Sequence, residues 1–180
     1  TDPTEGTVTY GGRDVREYNR DKYYGLFSAV FQQFSLLPVT FGEAVAEEEP
    51  DLFDRKRVKE CLEKAGLWEK VNSLEKGMDS EYGREVNDNG TELSGGQMQK
   101  LLLARALYRN APVMLLDEPT AALDPIAESN LYEIYNKVMK DCSAVFISHR
   151  LASTRFCDRI VLVEEGKIIE EGTHAELLTN

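Results

Sequence analysis

The sequence predicts an α/β fold: a mainly parallel sheet with an antiparallel edge and a helical subdomain. Three short apolar runs carry that reading, Leu26–Phe31, Val113–Leu116 and Ala144–Ile147, each set between stretches of helical periodicity. Runs without polar alternation are the pattern of strands buried on both faces of a parallel sheet, and their alternation with helices argues parallel crossover connections. In open sheets of this kind the ligand lies beyond the carboxyl ends of the strands. Gln32, Asp117, Glu118 and His149 all follow such ends, which makes them candidates for one shared site.

Taken in order, the chain opens with a turn over Thr1–Gly6, and Val8 and Tyr10 then alternate with threonines up to Gly11-Gly12. That glycine pair suits the positive φ angles of a tight hairpin. A short polar helix follows around Asn19–Tyr24. From Ser35 to about Gly90 the texture becomes helical: Asp54 is a good N-cap, Val58, Cys61, Leu62 and Ala65 fall on one face, and Gly66 stands where the helix should stop. Asp124-Pro125 supplies an N-cap with proline at the first helical position, and Ile126, Leu131, Ile134, Tyr135 and Val138 form the apolar stripe of the next helix. Ile160–Val163 and Lys167–Glu170 predict a hairpin about Glu165-Gly166, and Thr173 with Glu176 makes a capping box for a final helix.

The most informative stretch is Leu93-Ser94-Gly95-Gly96-Gln97, a long apolar-rich helix ending at Asn110-Ala111-Pro112, then Val113-Met114-Leu115-Leu116-Asp117-Glu118. Two glycines after a serine leave no β-carbons in the way, so a phosphate can approach the backbone N–H groups at the mouth of the helix. Two carboxylates sit at the end of the strand that follows. Signature, helix, strand and acid pair in this order and spacing resemble the ATP-binding cassette (ABC) ATPases, with LSGGQ as signature and LLDEP as Walker B.

The resemblance implies a P-loop NTPase-like fold, with residues 1–34 and 111–180 as a RecA-like part and 35–110 as a helical subdomain carrying the signature. It implies ATP and Mg²⁺ as ligands. Asp117 would hold the magnesium, Glu118 would polarise the water attacking the γ-phosphate, and Gln32, with its neighbour Gln33 as the alternative, would begin the Q-loop that touches both. His149, in Ile147-Ser148-His149-Arg150-Leu151-Ala152, matches the switch histidine that contacts the γ-phosphate. Ser94, Gly95, Gly96 and Gln97 would act on nucleotide held by a second ABC domain, and Ala121–Asp124 resembles the D-loop that crosses the same interface. Leu36-Leu37-Pro38 and Asp88-Asn89-Gly90 are most similar to the exporter branch, although Asn89 departs from the arginine usual there.

The family's G-x-x-x-x-G-K-[ST] loop, which cradles the phosphates, does not occur in these residues. In the family that loop and its helix precede a segment like Asp2–Gly6, so the chain is expected to start just after them. A strand carrying the loop is expected beside Val113–Leu116, and its loss predicts weak ATP binding and self-association of the isolated chain. The implied partners are a second ABC domain and the transmembrane part of a transporter, at the cytoplasmic face of the membrane. A soluble ABC ATPase of translation or repair, or a non-hydrolytic interaction fragment, is the alternative.

Composition narrows the classes further. The 180 residues suit one domain, and 32 Asp+Glu against 21 Lys+Arg give a net charge of −11. Such a balance argues against a broad nucleic-acid footprint and against adhesion to anionic lipid. The longest apolar runs fall short of the roughly 20 residues of a spanning helix, so a soluble chain is expected, attached to a membrane through a partner or a further segment. Cys61, Cys142 and Cys157 are odd in number, without metal-type spacing, and read as reduced structural thiols.

Overall fold

The computed structural model describes residues 3–31, 39–83, 90–120, 123–150 and 155–179. β1 (Thr9–Tyr10) and β2 (Arg13–Asp14) pair antiparallel. Gly11 and Gly12 join them with φ of +57° and +80°, the left-handed pair a two-residue hairpin turn needs. Asn19 caps α1 (Arg20–Tyr24), its side chain accepting from the Lys22 N–H at 3.2 Å. β3 (Phe27–Val30) follows. Tyr23 packs edge-on against Phe27, centroids 5.0 Å apart, and so ties this opening segment to the sheet.

The helical stretch begins with α2 (Phe41–Ala46) and α3 (Arg55–Lys64). α3 runs from the Asp54 cap to a full Schellman stop: Gly66 N–H reaches Glu63 O, Leu67 N–H reaches Leu62 O, and Gly66 has φ +69°. α4 (Trp68–Asn72) is short. α5 (Gly95–Arg109) is the central helix, packed against α2, α3 and β3, and Asn110 ends it with φ +52°. Phe41, Val45, Val58, Leu62, Leu101 and Leu103 fill the space between these helices and are essentially inaccessible.

β4 (Val113–Asp117) leads to α6 (Pro125–Val138), β5 (Ser143–Ile147), β6 (Ile160–Glu164), β7 (Lys167–Gly172) and α7 (His174–Leu177). The sheet order is β3-β4-β5, parallel throughout, and β1-β2 and β6-β7 are separate antiparallel pairs. β4 therefore has both edges taken. This corrects one expectation: no further strand can pair beside Val113–Leu116.

A second correction concerns the faces of this sheet. Along β4, Met114 and Leu116 are buried while Val113 and Leu115 are half-covered, and on β5 Val145 and Ile147 are 50% and 56% exposed. Val30, Leu116 and Phe146 share one row of the ladder, and Tyr135 of α6 packs edge-on against Phe146 at 5.6 Å. Helices α5 and α6 thus cover one face. The apolar runs reflect residues suited to two covers, of which the described residues supply one. Ile126, placed in the apolar stripe of α6 by periodicity, is 76% exposed, and Tyr132 is buried in the core instead. Among the described residues, no helix is long and apolar enough to cross a membrane.

Candidate functional site

The parallel register places Asp117 beside Ile147 at the carboxyl ends of β4 and β5. One residue further on, Glu118 turns out of the strand with φ +45°, while its N–H still donates to Ile147 O at 2.9 Å. That last rung fixes where its side chain leaves the backbone. His149 follows β5 by two residues, and its Nδ1 lies 2.7 Å from Glu118 Oε1. An ionised carboxylate only accepts, so the imidazole donates from Nδ1 and turns its Nε2 edge elsewhere. The histidine side chain is 66% accessible and the glutamate 27%, an accessible ring backed by a more sheltered acid. The strand ends thus bring together Asp117, Glu118 and His149; Gln32 lies outside the described residues.

Among the described residues, no group of three or more His, Cys, Asp or Glu side chains is placed to hold a metal by itself. The donor set at the strand ends suits Mg²⁺, which takes one or two carboxylates and completes its shell with phosphate oxygens and water. It does not suit a closed structural zinc site.

Ser94 to Gln97 form a second group at the start of α5. Ser94 Oγ accepts from the Gln97 N–H at 3.3 Å, and Gln97 Oε1 accepts from the Ser94 N–H at 3.0 Å, a complete capping box. The N–H groups of Gly95 and Gly96 are first-turn donors with no intrahelical acceptor, at the place where the sequence suggested an anion seat. A β-carbon on Gly96 would stand 3.8 Å from Ala127 Cβ and 3.9 Å from Leu123 Cδ2, so the mouth of α5 rests on the start of α6. There Asp124 accepts from the Ala127 and Ile126 N–H groups at 3.0 Å each. These bonds, Ala127 first, hold its carboxyl below the usual carboxylate range. Asp124 is thus engaged as a helix cap. No hydrogen bond joins the Ser94–Gln97 group to Asp117, Glu118 or His149 among the described residues.

No disulfide joins Cys61, Cys142 or Cys157 among the described residues, and burial pushes the Cys61 and Cys157 thiols up, away from the reactive thiolate. Thr120 and Glu128 escaped the sequence reading, although Glu128 accepts both from Thr120, two residues after Glu118, and from Arg150, next to His149. The available signal was Glu128 one turn after Asp124, a carboxylate on the side of α6 that faces the exit of β4.

A family model described as ABC transporter matches residues 1–121. The chain belongs to the ABC transporter family. It is similar to the ATP-dependent lipid A-core flippase of Vibrio parahaemolyticus serotype O3:K6, 36% identical over 177 residues, which are 98% of this chain and 30% of that protein. The flippase of the same description from Polaromonas sp. is 39% identical over 175 residues, 97% of this chain and 29% of its own length. Among solved structures, a bacterial Atm1-family ABC exporter with ATP bound superposes with a TM-score of 0.84 at 30% identity, over 99% of this chain and 30% of that one. The fold is therefore the P-loop NTPase fold of ABC ATPases, a nucleotide-binding family. The chain spans about 30% of the length of the relatives it matches.

Proposed function

We propose that this chain is part of the ATP-hydrolysing motor of an ABC exporter, in which Glu118 polarises the attacking water and His149 contacts the γ-phosphate. The observation that carries this reading is the 2.7 Å contact between His149 Nδ1 and Glu118 Oε1 at adjacent strand ends. The carboxylate fixes the ring's orientation by accepting from Nδ1, and on the imidazolium the Nε2–H would be left to donate to a phosphate oxygen. Phosphoryl transfer gains most from positioning and charge neutralisation, which a pair held just beyond two laddered strand ends would supply. Mg²⁺, when bound, neutralises charge on the phosphates; Asp117 would hold it, with Gln32 as the further ligand.

Ser94, Gly95, Gly96 and Gln97 would close on nucleotide held by a second ABC domain, with the Asp124 loop at the same interface. Residues 1–34 and 111–180 would form the RecA-like part, and 35–110 the helical subdomain that carries the signature. A transmembrane part would complete the exporter and hold this domain at the cytoplasmic face of the membrane. Turnover needs a phosphate-cradling loop, and these 180 residues contain none, so the isolated chain is expected to bind Mg-ATP weakly and to hydrolyse none.

The test is Glu118→Gln in a protein that carries both this segment and a P-loop. The change keeps size and removes the basic oxygen, so turnover should fall by about 100-fold or more while ATP binding persists. Steady-state phosphate release near the unmodified rate would remove Glu118 from this role.

A further inference from the structure

We propose that Glu128 is a positioning residue for the Glu118–His149 pair, closing a ring of contacts that holds the two loops at one separation. Its two carboxylate oxygens are divided between them. Oε1 accepts from Thr120 Oγ1 at 3.0 Å, and Oε2 accepts from Arg150 Nη1 at 2.5 Å. Thr120 lies two residues after Glu118, across the fully buried Pro119, and Arg150 directly follows His149. The circuit runs from Glu118 along the chain to Thr120, across to Glu128, across to Arg150, back one residue to His149, and home through the 2.7 Å contact.

The proton directions in this circuit are set. A carboxylate only accepts, so the Thr120 hydroxyl spends its one proton on Glu128, and Tyr132 OH, 2.9 Å away, donates to Thr120 in turn. Thr120 and Tyr132 are 2% and 3% exposed, so this arm of the ring is anchored in the core. The side chains of Glu128 and Arg150 are 12% and 31% accessible, sheltered enough that neither is a mobile surface ion. α6 does not need Glu128 to start, because Asp124 caps it separately. Removing the carboxylate leaves the Thr120 hydroxyl without its acceptor and Arg150 without that counter-charge, and both loops lose their common anchor. The geometry of the pair depends on this ring whatever the pair does; the effect on turnover rests on the catalytic reading above.

The chain holds two histidines, His149 and His174, so ¹⁵N-labelled histidine gives two pairs of ring signals, and His149→Gln assigns them by removing one pair. Once the ¹⁵N shifts themselves show a neutral ring at alkaline pH, His149 should be predominantly protonated on Nδ1. In Glu128→Ala the share of that tautomer should fall to that of an unrestrained imidazole, and in Glu128→Gln, which keeps an acceptor for Thr120, it should lie between. An unchanged tautomer in folded Glu128→Ala overturns the proposal. Should that variant not fold, Arg150→Gln opens the ring from the other loop and is read the same way. In an exporter carrying this segment and a P-loop, Glu128→Ala should lower kcat by about 10- to 100-fold with KM for ATP nearly unchanged. Loss of the tautomer with kcat retained would uphold the positioning and sink the catalytic role of the pair.

Discussion

Two apolar stretches of similar composition end in opposite surroundings. Leu101, Leu102, Leu103 and Ala104 on α5 are 2%, 5%, 0% and 0% exposed, whereas Val161, Leu162 and Val163 on β6 are 41%, 47% and 59% exposed. The helix is wrapped by α2, α3 and β3, while the β6-β7 pair meets mainly itself and the four-residue α7. Hydrophobicity expresses what a residue gains from a cover, and the fold decides whether a cover is there. The same rule divides the parallel sheet into a packed face and an open one.

The largest test of this contrast is truncation on each side. Leu103→Ala should cost about 2–5 kcal/mol of unfolding free energy, through lost burial plus the cavity left among the helices. Val163→Ala should stay within about 0.5 kcal/mol. Urea unfolding of both variants measures the difference, and equal costs would mean that the hairpin is covered in solution.

A middle-sized effect should appear in association. The open face of β5 carries Val145 and Ile147, and one edge of that strand is unpaired among the described residues. An apolar strand with a free edge is a template for pairing with another chain. Concentration-dependent growth in light scattering is expected, reduced by Ile147→Glu and unaffected by Lys56→Glu on the exposed surface of α3. Monomeric behaviour of the unsubstituted chain at high concentration would contradict it.

The smallest effect should be the one that ignores the contrast. Arg55 holds the Asp79 carboxyl below its usual range in the helical stretch, and the Thr173 N–H does the same for Glu176 beside the hairpin. A depressed value means stability that is complete above the unfolded-state pKa and lost as pH falls through the folded one. The urea midpoint should therefore be flat from neutral pH to about pH 5 and decline below about pH 4. These groups are exposed, so added salt should shrink the decline. A fall beginning near neutral pH would show that other groups dominate.

The readable parts of the molecule were those fixed by local chemistry. Gly11-Gly12, the Asp54, Asp124 and Thr173 caps, the Gly66 stop and the Glu165-Gly166 turn each place one backbone group within a few residues of its partner. The convergence of Asp117, Glu118 and His149 on one edge was legible too, because parallel strands deliver their carboxyl ends to the same side; the direct bond between Glu118 and His149 was not. Relations that depend on neighbours distant in the chain stayed hidden. Nothing in Val145 or Ile147 tells that one face of β5 lacks a cover, periodicity could not tell that Ile126 stands outside the packed stripe, and the meeting of Glu128 with Arg150 requires 22 residues of intervening fold.

The backbone of Glu118 has a consequence for how this position changes over generations. A φ of +45° is a conformation in which a residue with a β-carbon pays roughly 1–2 kcal/mol relative to the right-handed region. Selection for thermostability alone would drive position 118 toward glycine or asparagine, which adopt that conformation more readily. On the catalytic role proposed above, the carboxylate at this position trades stability for activity. Lineages released from the need to hydrolyse nucleotide should drift at this residue early, and gain heat resistance as they do.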